Sequence, residues 1–92
     1  MRLVFRAHAI RRMFQRGITT DAVRAVVESG VVIEAKPDDL PYPSRLVLGW
    51  LHGRPLHVVV ADDAAVDVSV IVTVYEPDPA LWRSDFRRRR KR

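Results

Sequence analysis

The alternation of apolar and polar positions divides the chain into two helical stretches followed by four strands. From about His8 to Arg16, a period of about 3.6 residues gathers Ile10, Met13, Phe14 and Gly17 on one side of a predicted first helix. His8, Arg11, Arg12 and Gln15 take the other side, with Arg16 at its margin. Gly17 supplies a helix stop. Thr19 or Thr20 then caps a second helix, about Asp21 to Ser29, whose Ala22, Val23, Val26 and Val27 form an apolar stripe ended by Gly30. Valine is a mediocre helix former, so this second helix depends on packing against a sheet.

The remainder reads as strands. Val31 to Ala35 is the first clear one, and Arg2 to Phe5 forms a short lead-in strand or an extended arm. Pro37, Pro41 and Pro43 make the intervening stretch a loop. Arg45 to Trp50 and Leu56 to Ala61 follow, joined by a tight hairpin at His52 to Pro55. Val66 to Tyr75 is the longest strand and alternates cleanly. Val66, Val68, Val70, Val72 and Val74 are expected to face the core, and Asp67, Ser69, Ile71, Thr73 and Tyr75 the other side. A short turn at Ala80 to Trp82 docks on the domain, with Trp50 and Trp82 as packing residues. Helices segregated from sequential strands indicate an α+β fold, two helices and an antiparallel four-stranded sheet.

Composition adds bounds. The 92 residues are read as one domain, 1–86, with a disordered basic tail, 87–92. The absence of cysteine excludes disulfides and thiolate metal sites and suits a reducing cytoplasm. No apolar run approaches the ~20 residues of a membrane span, and the opening is too short for a signal peptide. The net charge of +5 is unevenly spread: +5 over residues 1–16, −6 over 17–86 and +6 over 87–92. A clustered basic helix says more about a ligand than the global sum does.

Two groups of side chains could carry chemistry. His8, Arg12 and Arg16 recur at i, i+4 and i+8, with Arg11 beside them and no carboxylate before Asp21. His57 points away from the Leu56, Val58 and Val60 core set. An antiparallel pairing of the last two strands brings it near Thr73 and Tyr75, and Arg45 joins that face if register permits. Together these supply an acid/base imidazole, fixed guanidiniums and hydroxyls, the groups that metal-independent RNA cleavage through the 2′-hydroxyl requires. If the first helix packs on the core face of the sheet, His8 meets the second group only around an edge or end. The three histidines have no metal-ligand spacing, so no metal or cofactor is expected.

The run His8-Ala9-x-x-Arg12-Met13-x-x-Arg16-Gly17-Ile18, the helix ending in Gly30, the strand Val31-Val32-Ile33-Glu34 and the closing Thr73-Val74-Tyr75 resemble a small uncharacterised bacterial domain family. The resemblance spans about Phe5 to Trp82. It implies a RelE/barnase-like fold and a ribonuclease toxin of a toxin–antitoxin pair, acting on RNA and silenced by a cognate antitoxin protein. On that reading His8, Arg12, His57 and Tyr75 are catalytic candidates, and Arg11, Arg16, Arg45 and Thr73 contact RNA. The family often caps its first helix with Ser or Thr, where this chain has Arg6-Ala7, and the basic tail is not part of its pattern. A non-catalytic RNA- or protein-binding module using the same helix is the rival reading. A subunit that assembles through a strand edge, as a homodimer for instance, is a third.

Overall fold

A computed structural model describes residues 1–91. The elements in chain order are β1 (Arg2–Phe5), α1 (Ala7–Arg16), α2 (Thr20–Ser29), β2 (Val31–Lys36), β3 (Ser44–Leu51), β4 (Arg54–Asp63) and β5 (Val68–Tyr75). The class is α+β as expected, but the sheet has five strands and is mixed. Its order is β1-β5-β4-β3-β2, with β1 parallel to β5 and the other neighbours antiparallel. The N-terminal segment is therefore a fifth strand on the open edge of β5. The expected four-stranded sheet leaves this lead-in strand out because its parallel partner lies far away in sequence.

Local chemistry sets the element ends. Thr19 accepts a hydrogen bond from the Ala22 amide at 3.1 Å and caps α2. Arg6 caps α1 only by position, with no side-chain bond, and Gly17 closes that helix at φ 66°. His52 and Gly53 join β3 to β4 with φ of 51° and 79°, the left-handed pair a two-residue hairpin loop needs.

Both helices cover one face of the sheet. Ala9, Met13, Ile18, Val23, Val26 and Val27 meet Val47, Leu56, Val58, Val60, Ile71 and Val74 there. Two expectations about faces are corrected. Ile10 and Phe14 do not join the core. They are 54% and 89% exposed, and α1 seats itself on Ala9 and Met13, because small Ala9 allows a close approach to β5. In β5 the valine set is not the core set. The pairing slips between Thr73↔Val59 and Ile71↔Val60, and this bulge at Val72 reverses the alternation, so that Ile71 and Val74 are the buried pair.

Residues 77–91 run over the opposite, outer face. Trp82 is buried there and forms an isolated antiparallel bridge with Arg89. Through residue 91 the basic tail is thus not a disordered extension. Its repulsion is offset by Glu34, whose carboxylate takes two hydrogen bonds from Arg89 at 2.9 and 3.2 Å. Arg92, the last residue of that tail, lies outside the described residues.

Candidate functional site

The outer face is built from alternation. Leu46, His57, Val59, Thr73 and Tyr75 project from β3, β4 and β5 away from the helices, in the register Leu48↔His57↔Tyr75 and Leu46↔Val59↔Thr73. The expected neighbourhood of His57, Thr73 and Tyr75 is therefore present. His57 is fully buried, with both ring nitrogens engaged. Nε2–H donates to the Phe86 carbonyl at 2.8 Å, which leaves Nδ1 to accept from the Tyr75 hydroxyl at 3.2 Å. Trp82 stands edge-on against the imidazole, and the Arg89 guanidinium lies 4.5 Å over the Trp82 ring. Burial holds the His57 pKa below the usual histidine value, although the Phe86 carbonyl and Glu34 favour the imidazolium. Burial likewise raises the Tyr75 hydroxyl. So enclosed, His57 ties the C-terminal segment to the sheet and has no free nitrogen for a substrate.

Beside this cluster a cleft of about 160 Å³ is lined by Glu34, Lys36, Asp39, Ser44, Arg45, Leu46, Val59, Tyr75 and Arg89. Arg45 does join Tyr75 there. Its guanidinium, however, is held by the Asp62 carboxylate at 2.8 and 3.2 Å, and Ser69 donates to the same carboxylate at 2.8 Å. These bonds keep the Asp62 carboxyl below the usual range although its burial opposes them. Glu34, Arg45 and Arg89 in the cleft thus each have an oppositely charged partner within the chain.

The first helix is the opposite case. His8, Arg11, Arg12 and Arg16 are all exposed. Among the described residues, neither they nor Arg2 and Arg6 form a salt bridge or side-chain hydrogen bond, whereas Arg24, Arg45, Arg54, Arg88 and Arg89 each pair with a carboxylate. The first turn of α1 carries no acidic residue. A helix axis that buries Ala9 and Met13 puts His8, Arg12 and Arg16 on one flank and Ile10 and Phe14 on the other, with Arg11 and Gln15 outermost.

The two groups do not share a cavity. α1 lies on the helix-covered face, His57 and Tyr75 lie beneath the C-terminal segment on the other, and among the described residues none of the main pockets is lined by both. Joint action of His8 and His57 on one phosphate, the arrangement the sequence suggested, is not assembled. Thr73 is the nearest link. The Arg6 amide bonds the Ile71 carbonyl at 3.1 Å as β1 gives way to α1, so Thr73 sits two residues along the β5 edge that β1 leaves open.

Glu34, Trp82, Phe86 and Arg89 were invisible as a site in the sequence. They lie up to 55 residues apart, with no local spacing to connect them. The one available signal was the placement of His57 on the outward face of a strand with core residues on either side.

A family model described as a domain of unknown function (DUF4258) matches residues 5–76. No curated protein and no solved structure matches the chain.

Proposed function

The chain belongs to the DUF4258 family of domains of unknown function, and from that premise we propose that it acts on RNA, gripping the phosphate backbone with the outward face of α1. The observation that carries this reading is the unpaired state of the α1 guanidiniums. Arg11, Arg12 and Arg16 share ten residues of helix and have no counter-charge among the described residues, whereas Arg24, Arg45, Arg54, Arg88 and Arg89 each have one. Guanidinium forks match phosphate geometry, and binding would be sequence-tolerant because the contacts go to phosphates.

The resemblance of the motif supports reading this grip as that of a RelE/barnase-like toxin with a cognate antitoxin. Exposed Ile10 and Phe14 give a protein partner an apolar foothold beside the cationic face. Cleavage is the second reading, favoured by one detail: His8 is exposed on the flank that also carries Arg12 and Arg16. There His8 serves as acid/base and Arg12 stabilises charge building on the phosphate, without metal.

The test is anisotropy of a labelled single-stranded RNA over a salt series. Each phosphate contact contributes about −0.7 to the log–log slope on a single strand, so Arg11→Ser/Arg12→Ser/Arg16→Ser should flatten the slope by about 2. RNA breakdown in chelator, lost in folded His8→Ala, supports the second reading. Binding without breakdown leaves the first alone.

A further inference from the structure

We propose that the C-terminal segment is a second phosphate-binding element, a folded loop whose Arg83, Arg88, Arg90 and Lys91 line one notch that takes the phosphates of an RNA strand. The choice of RNA rests on the reading above; the notch itself does not involve α1. The family match stops at residue 76, so the element is an addition to the shared domain.

A run of adjacent cations should repel itself into an extended chain. Here it is held in a compact turn by groups other than its own charge. Trp82 is sunk against His57, and His57 holds the Phe86 carbonyl. Arg83 N–H donates to the Arg88 carbonyl and Arg90 N–H to the Leu81 carbonyl, both at 2.8 Å. Asp85 receives the amides of Arg87 and Arg88. Arg89 is turned inward to Glu34 and Trp82 and serves as a fastener.

Four of the other five described cations of the segment converge, and Arg87 lies apart from them. A shallow notch of about 450 Å³ is lined by Arg83, Ser84, Arg88, Arg90 and Lys91. Arg88 bonds Asp85 at 3.0 Å and Arg90 bonds the Pro79 carbonyl at 2.7 Å, while the Arg83 and Lys91 side chains have no partner among the described residues. Four positive charges thus face one concavity, and among the described residues only Arg88 of the four pairs with a carboxylate. Holding them together is unfavourable until an anion enters, and a phosphodiester presents compact, unsaturated acceptor oxygens that guanidinium forks and an ammonium can share. The lining residues are all charged or polar, which suits a strand backbone and gives a bilayer no large apolar side chain to bury. Trp82 is enclosed by His57 and Arg89 and offers bases no free face, and no aromatic side chain lines the notch, so the contact is to phosphates.

The notch is also remote from α1. Arg89 ties the segment to β2 at one edge of the sheet, whereas α1 packs on β5, next to the opposite edge strand. The two surfaces can therefore be removed separately.

The experiment measures binding of a fluorescein-labelled oligouridine to the full chain by anisotropy between about 50 and 200 mM salt. Arg83→Ser/Lys91→Ser removes two notch charges that make no internal bond. Affinity at low salt should fall about tenfold, and the log–log slope should flatten by about 1.4. In nitrogen-15 spectra the Arg83 and Arg90 side-chain Nε–H signals should move on RNA addition. Wild-type affinity and slope in the double variant would overturn the proposal. So would unmoved Nε–H signals, or loss of binding to phosphatidylserine vesicles with RNA binding intact. The α1 triple variant run in parallel separates the two claims. An effect of the notch variant alone sinks the α1 reading and keeps this one; an effect of the α1 variant alone does the reverse.

Discussion

The indole of Trp82 stands edge-on to the imidazole of His57, with ring centroids 4.5 Å apart and planes at 88°. This contact closes the outer face of the sheet, and the two hydrogen bonds of the imidazole fix it in place. His57→Ala would open a cavity and leave the Phe86 carbonyl and Tyr75 hydroxyl without partners. A loss of about 2–4 kcal/mol is expected from urea midpoints. Amide exchange should accelerate at Phe86 and Arg90, whose N–H groups bond the Arg83 and Leu81 carbonyls in that segment. His57→Phe retains the volume but neither hydrogen bond, so its loss should be smaller yet real.

Acid should loosen the same contact. Burial keeps His57 neutral in the folded chain below the pH at which an unfolded histidine takes up its proton. Between those two values the unfolded state binds more protons, so stability falls as pH drops below about 6.5 and levels off beneath the folded pKa. The depressed carboxyl groups of Asp62 and Asp85 act lower, as pH falls through the carboxylate range. Urea midpoints at about pH 7.5 and 5.5 should therefore differ in the wild type and differ less in His57→Phe.

Two glycines mark where α2 meets the sheet. A Cβ on Gly30 would lie 2.4 Å from the Val26 carbonyl oxygen and 2.6 Å from that of Leu48, both backbone atoms that cannot step aside. A Cβ on Gly49 would meet the Val26 side chain at 2.6 Å. Gly30→Ala should be the more damaging, by about 1–3 kcal/mol or more, with Gly49→Ala milder because a side chain can shift. Thermal midpoints of the two variants give the order.

The exposed flank of α1 should tolerate change that its buried positions do not. Phe14→Ser is expected to alter stability by about 0.5 kcal/mol or less, whereas Met13→Ala, next along the helix and buried, should cost about 2–4 kcal/mol. If a protein partner uses Ile10 and Phe14, Ile10→Ser/Phe14→Ser would abolish its capture while leaving the unfolding midpoint in place.

Much of the fold was legible because local signals agree with it. Thr19, Gly17 and Gly30 sit at helix ends as their chemistry demands, and His52-Gly53 makes the hairpin. The outward pairing of His57 with Tyr75 followed from alternation in β4 and a short turn. Three things were not local. The parallel partnership of β1 with β5 spans 66 residues, from Arg2 to Val68, and no spacing announces it. The bulge at Val72 exchanges the faces of β5, and an unbroken valine pattern conceals it. The docking of the C-terminal segment depends on Glu34, an isolated acid on a distant strand that neutralises one arginine of six adjacent cations. The candidate site shows the same division. The cationic face of α1 was readable from one helix, whereas the separation of His8 from His57 was readable only as a condition, that the first helix packs on the core face of the sheet.

The central claim is that the unpaired arginines of α1 hold RNA phosphates. The most direct measurement is the salt dependence of oligouridine binding for the wild-type chain and for Arg11→Ser/Arg12→Ser/Arg16→Ser, both confirmed as folded by their unfolding midpoints. The expected result is a log–log slope flatter by about 2 in the variant and an affinity at least tenfold weaker at low salt. Identical slopes and affinities would contradict the account.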